Sequence, residues 1–290
     1  MKRSSATFHS LPTFQSPIRL QLACPEISFF SLKNQTILIT GAGRGLGIEL
    51  ALGVVENGGH VAALDILDTP SNEWAQLQKI AKQRNVTVSY RKADITDEED
   101  FKSAVAEISS RGRAINAPLQ GAIACAGIQQ KIPTLDYPVA DFERMMRVNT
   151  VGSFITAKAV ANDMVANKVQ GSIVLIASMS GSIANRGLTC SAYNTSKAAV
   201  HQLCRSMAQE IGVHGIRINT LSPGYIRTAM TDALLAAEPE VEKTWMAGAL
   251  LGRLGAPEDF KAPAVFLLSR GSSFMTGADL RVDGGHTAAV

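Results

Sequence analysis

The chain has 290 residues, 46% hydrophobic and 18% charged, with a formal net charge of +3 at pH 7. That length suits a single α/β domain, and the small charge, with no basic run interleaved with aromatics, argues against a nucleic-acid or anionic-membrane partner. Cys24, Cys125, Cys190 and Cys204 are scattered, as are the five histidines, so neither a disulfide framework nor a metal site is expected.

Residues 1–30 are rich in Ser, Thr, Phe and Pro and carry Lys2, Arg3 and Arg19. Pro12, Pro17 and Pro25 interrupt any long amphipathic helix, so the stretch reads as a poorly ordered N-terminal extension, with mitochondrial targeting as the alternative. A domain over residues 31–290 follows. No stretch reaches the roughly 18 unbroken apolar residues of a membrane span. Reduced thiols fit a cytoplasmic protein.

The apolar run Thr36–Thr40 ends in Gly41-Ala42-Gly43-Arg44-Gly45-Leu46-Gly47, and an amphipathic segment begins at once. A strand, a glycine turn and a helix N-terminus in that order bring backbone N–H groups and a positive dipole end to a pyrophosphate. His60–Leu64 is a second strand, closed by Asp65, where an acid accepts hydrogen bonds from the ribose hydroxyls of a dinucleotide. Trp74, Leu77, Ile80 and Ala81 recur at helical spacing. Val86–Tyr90 reads as a strand running on to Asp94, and Thr96 with Glu99 reads as a capping box. Buried strands are expected at 121–127, 171–178 and 216–221, and a seventh at 279–283. Such strands alternating with helices imply one doubly wound, Rossmann-type domain with a mainly parallel seven-stranded sheet. Its sites belong at the C-terminal strand ends.

Ser178 closes the fifth strand, and Tyr193 and Lys197 lie four residues apart at the start of an Ala-rich helical segment. That spacing sets phenol and ammonium on one helix face. A nearby cation, helped by an oxidised nicotinamide, favours the phenolate and moves Tyr193 toward working range as a base. On spacing alone, such a pair is also an ordinary surface pair.

Together these residues resemble the short-chain dehydrogenase/reductase family. The features that carry the likeness are the T-G-x-x-x-G-x-G turn, Asp94-Ile95 after the third strand, Ala126-Gly127 after the fourth, Asn149, Ser178, Tyr193-x-x-x-Lys197, and Pro223-Gly224 followed by Ile226 and Thr228. The likeness covers roughly residues 32 to 286. It implies that Ser178 holds the substrate oxygen and Tyr193 passes the proton. Lys197 lowers the phenol pKa and binds the nicotinamide ribose, while Asn149 holds a water linking Lys197 to solvent. It further implies cofactor contacts from Gly41, Gly43, Arg44, Gly45, Leu46, Gly47, Asp65, Asp94, Ile95, Ala126, Gly127, Tyr193, Lys197, Pro223, Gly224, Ile226 and Thr228. Hydride passes directly between substrate carbon and cofactor, with no metal.

Two departures stand out. Cys125 occupies a position usually held by Asn, and the interval from Ser178 to Tyr193 is longer than in many members, so that Ser180 fits the shorter spacing. Asp65 repels a 2′-phosphate and favours NAD, whereas Arg44 in the glycine turn accompanies NADP use. The segment from Thr228 to Leu254, with Met230, Leu234, Leu235, Trp245 and Met246, falls where the family has its substrate lid.

Phe30–Lys33, Ser178–Gly181 and Val282–Gly285 resemble fungal sugar-alcohol dehydrogenases acting on arabinitol, mannitol or sorbitol. The expected activity is therefore NAD(H)-dependent interconversion of a sugar alcohol and a ketose. A reductase of a hydrophobic ketone or secondary metabolite, with NADPH, is the alternative, and a catalytically retired nucleotide-binding regulator a third reading. The family's habit implies a homo-oligomer, tetramer or dimer, through the helices that contain Val151–Val165 and Ala198–Ile211.

Overall fold

The computed structural model describes residues 29–227, 231, 235–236 and 239–289. Thr228, Met230 and Leu234 and the extension up to residue 28 lie outside the described residues. Seven strands form one sheet: β1 (Thr36–Thr40), β2 (His60–Asp65), β3 (Val88–Lys92), β4 (Leu119–Ala124), β5 (Ser172–Ile176), β6 (Arg217–Pro223) and β7 (Asp279–Val282). Their order is β3-β2-β1-β4-β5-β6-β7, and every pairing is parallel. The mainly parallel sheet expected from sequence is thus wholly parallel.

Strand alternation explains why both faces are covered. Leu38, Ala122, Ile173 and Leu175 point into one apolar cluster, and Ile37, Ile39, Ile123, Val174 and Ile176 into the other. Helices α3 (Glu98–Ala114), α5 (Gly152–Ala166) and α6 (Ser191–Ile211) cover the first face through Phe101, Val160 and Val200. Helix α1 (Gly45–Glu56), α2 (Glu73–Arg84) and α8 (Lys261–Leu268) cover the second through Val54, Leu77 and Leu267. Among the described residues there are also α4 (Val139–Met146) and α7 (Pro239–Ala247). Among the described residues no helix is long and apolar enough to cross a membrane.

The strand order reverses between β1 and β4, which opens a crevice at their C-terminal ends. Thr40 ties that crevice together. Its Oγ1 accepts from the backbone N–H of Cys125 at 3.2 Å and of Ala126 at 3.3 Å. Cys125 itself is half-buried and packs against the second apolar cluster, as a small hydrophobe.

Local boundaries differ from the sequence reading where a hydrogen bond competes. The Val86 N–H closes the end of α2 on the Ala81 carbonyl at 3.0 Å, so β3 begins only at Val88. Thr96 is not the cap of α3. Its N–H and hydroxyl both go to the Asp94 carboxylate at 2.8 Å, and Asp97 caps the helix by accepting from Asp100 N at 3.1 Å.

Candidate active site

The glycine turn after β1 meets the end of β2 through one carboxylate. Asp65 Oδ2 accepts from Gly43 N at 2.8 Å, and Oδ1 accepts from Leu67 N at 3.2 Å. A Cβ on residue 43 would stand 2.8 Å from that carboxylate, so only glycine lets the two approach. Helix α1 then starts with no side-chain cap and no acidic residue in its first turn. Its free N–H groups and positive dipole end suit a pyrophosphate. This cradle, with Asp65 half-buried beside it, fits a dinucleotide. Arg44 is exposed and makes no ion pair with Asp65 or any other described residue.

Of the remaining expected cofactor contacts, Asp94 is exposed and holds its own turn. Ile95 is buried and turns its side chain against Gly152. Ala126 and Gly127 follow β4 beside the glycine turn, and Pro223 ends β6. Gly224 N donates to the Val282 carbonyl at 3.0 Å. Ile226 forms a parallel bridge with Gly255.

The proton-handling residues converge where β4, β5 and α6 meet. A Cβ placed on Gly127 would lie 3.2 Å from Asn149 Oδ1 and 3.7 Å from Lys197 Nζ, so the amide and the ammonium flank one point. Asn149 reaches it from a π-helical turn, Arg147–Val151, between α4 and α5. Such turns recur at functional sites because they re-aim one side chain. The Asn149 amide is fully buried and heavily committed. Oδ1 accepts from Ile128 N at 2.8 Å, and Nδ2 donates to Ile128 O at 2.9 Å and Ser196 Oγ at 2.9 Å. The expected water-holding role is left to the second lone pair of Oδ1.

Ser178 lies two residues beyond β5 rather than at its end, and it caps the short turn Met179–Gly181 by accepting from Ser180 N at 3.1 Å. A Cβ on Gly181 would meet the Lys197 and Ala198 backbone at 2.7–2.8 Å, so this turn lies directly on α6. The Ser178 hydroxyl lies close enough to the Tyr193 phenol to lower its pKa. Ser178 is thus the serine that acts on the phenol.

Lys197 departs from expectation. It is buried, its Nζ donates to the Ile176 carbonyl at 2.7 Å, and it lies 5.7 Å from the Tyr193 ring centroid. Burial pulls the ammonium down to about 8. Burial also pushes the Tyr193 phenol up to about 12, with the Ser178 hydrogen bond acting the other way. The thiols of Cys190 and Cys125 add to the rise, so only Ser178 draws the phenol down, and desolvation outweighs it. As built, the site holds Tyr193 protonated, ready to donate.

The segment after β6 packs against α7 and the C-terminal turn. Tyr225 stacks on Trp245, centroids 4.1 Å apart and planes 4° from parallel, and meets His286 edge-on at 5.0 Å. Leu235 and Trp245 are buried, and Arg227 Nη2 binds Glu242 at 2.9 Å. Thr40 entered the sequence reading only as the first residue of the glycine turn, and Ser196, Asn185 and Tyr225 were not singled out. Ser196 adjoins the motif residue Lys197, which was the available signal.

Residues 41–287 match the family model described as Enoyl-(Acyl carrier protein) reductase. The chain is 43% identical over 262 residues to a protein of Aspergillus versicolor named Short chain dehydrogenases/reductase notP′, covering 89% of this chain and 88% of that one. It is 37% identical to a galactitol 2-dehydrogenase (L-tagatose-forming) of Cereibacter sphaeroides, covering 89% and 97%. Among solved structures it is similar to a gluconate 5-dehydrogenase from Burkholderia cenocepacia J2315 in complex with NADP and tartrate. There the TM-score is 0.80 and the identity 31%, over 90% of this chain and 98% of that one.

Proposed function

This chain belongs to the short-chain dehydrogenase/reductase family, an oxidoreductase of alcohols and carbonyls, and on that premise we propose that it interconverts a sugar alcohol and a ketose with NAD(H). The observation that carries the reading is the convergence of Ser178 on Tyr193, with Lys197 Nζ and Asn149 Oδ1 flanking one point at Gly127. A bound nicotinamide dinucleotide supplies the hydride donor or acceptor. The chain's own residues do the rest. Ser178 orients the substrate oxygen, and Tyr193 gives that oxygen its proton in reduction or takes it in oxidation. Lys197, anchored on the Ile176 carbonyl, stands ready to bind ribose and to reprotonate the phenol. Asn149 fixes the Ile128 backbone and holds α6 in register through Ser196.

Asp65 supports NAD. Gly43 and Leu67 hold its carboxylate in place, with lone pairs left for two ribose hydroxyls and a charge that repels a 2′-phosphate. A homo-oligomer fits the small-residue helices α5 and α6, the first of which carries Phe154 and Val165 exposed. The test is a turnover panel of arabinitol, mannitol, sorbitol and galactitol, their ketoses, and hydrophobic ketones, each with both cofactors. Preference for hydrophobic ketones over every ketose overturns the sugar-alcohol reading.

A further inference from the structure

Hydrogen-bond direction leaves one phenol proton near the candidate site without an acceptor. Asn194, next to Tyr193, donates from Nδ2 to the Ile183 carbonyl at 3.1 Å. A carbonyl can only accept, so this bond fixes which way the Asn194 amide faces. Its Oδ1 correspondingly accepts from Cys190 Sγ at 3.1 Å. The same Nδ2 donates to Asn185 Oδ1 at 3.1 Å, which turns the Asn185 amide so that its Nδ2 donates to Tyr225 Oη at 3.0 Å. Tyr225 therefore receives, and its own proton points elsewhere. Among the described residues nothing accepts it.

A second, independent donor lies on the same stack. Trp245 is 5% exposed and parallel to Tyr225, and its Nε1 is buried with no hydrogen-bond partner. A buried donor left without a partner is costly, and the two rings stack on one another just after Pro223-Gly224 at the end of β6.

We propose that Tyr225, backed by Trp245, binds a second substrate oxygen, a hydroxyl on a carbon other than the one that reacts. The substrate class so selected is polyols and ketoses, against alcohols and ketones with a single oxygen. The relay Asn194–Asn185–Tyr225 polarises in one direction, which strengthens the terminal phenol as a donor. A substrate lacking that oxygen leaves the phenol unpaired, the arrangement by which sites discriminate most strongly. Asn185 is a positioning residue, acting through Tyr225. The proposal rests on the alcohol/ketose reading above.

Tyr225→Phe keeps the ring, its stack on Trp245 and its edge contact with His286, and removes only the hydroxyl. The variant and wild type are compared on the best polyol of the panel and on cyclohexanol, with NADH affinity measured by fluorescence. The polyol kcat/KM should fall about tenfold or more, chiefly through KM, with cyclohexanol turnover and NADH affinity unchanged. Trp245→Phe, which keeps an aromatic stack without Nε1, should shift the polyol KM in the same direction. Equal losses on both substrates would assign Tyr225 a structural role and overturn the proposal. Weaker NADH binding would place its proton on the cofactor and overturn it too, as would no change at all. A wild type that handles cyclohexanol as well as any polyol removes the sugar-alcohol reading itself. A polyol-preferring wild type with an unaltered variant sinks this proposal alone.

Discussion

Replacing Lys197 with Met should change how stability responds to pH, and the structure gives both sign and size. The ammonium titrates at about 8 in the folded chain against an ordinary 10.5, because it is buried. Between those values the unfolded chain binds more protons, so this group makes stability rise with pH. Below about pH 8 the folded state carries the whole penalty, about 3 kcal/mol. Between pH 7 and 10 about 2.5 kcal/mol of it is relieved. Met keeps most of the packing volume and has no proton, so the variant lacks that rise. Loss of the bond to the Ile176 carbonyl costs about 1–3 kcal/mol at every pH and displaces the variant's curve without changing its slope. Tyr193 titrates in both proteins and cancels. Urea unfolding of wild type and variant at pH 7, 8, 9 and 10, at fixed ionic strength, measures the difference. It should move by about 2.5 kcal/mol in favour of the wild type as pH rises. Parallel curves would show that Lys197 is not held as a penalised buried cation, and would refute the reasoning.

The other consequences are simpler to read. Wild-type kcat/KM should favour NAD(H) over NADP(H) by about tenfold or more, and Asp65→Ser should narrow or invert that ratio; a wild type preferring NADP(H) would assign the affinity to Arg44 instead. Asn149→Ala should cost about 2–5 kcal/mol in urea unfolding, since it orphans both the N–H and the carbonyl of Ile128; a loss under about 1 kcal/mol would mean that those groups find other partners. Sedimentation at micromolar concentration should show a dimer or tetramer, and a sole species of 30.8 kDa would count against the interface reading of α5 and α6.

The order of elements and the end of the sheet that carries the site were legible because both depend on short-range pattern. β1, β4, β5 and β6 are apolar runs long enough to declare themselves, and Gly41–Gly47 follows the first of them directly. What escaped depends on partners far apart in the chain. Nothing in Arg147–Val151 signals a π-turn, so the reach of Asn149 to Ile128 was not visible. The i,i+4 spacing set Tyr193 and Lys197 on one face, yet it could not foresee that the ammonium would find the Ile176 carbonyl at the end of β5. Desolvation is likewise a property of the packed state, and in the protein alone it holds the phenol up. The Asn194–Asn185–Tyr225 relay joins three segments that only the fold brings together.

The central claim is that Tyr193 carries the proton while other residues hold the cofactor. Tyr193→Phe, assayed for turnover on the best substrate of the panel and for NADH binding by fluorescence titration, tests it most directly. The account predicts a fall in kcat of about 10²–10⁴-fold, with NADH affinity retained. A variant with near-wild-type kcat would contradict it.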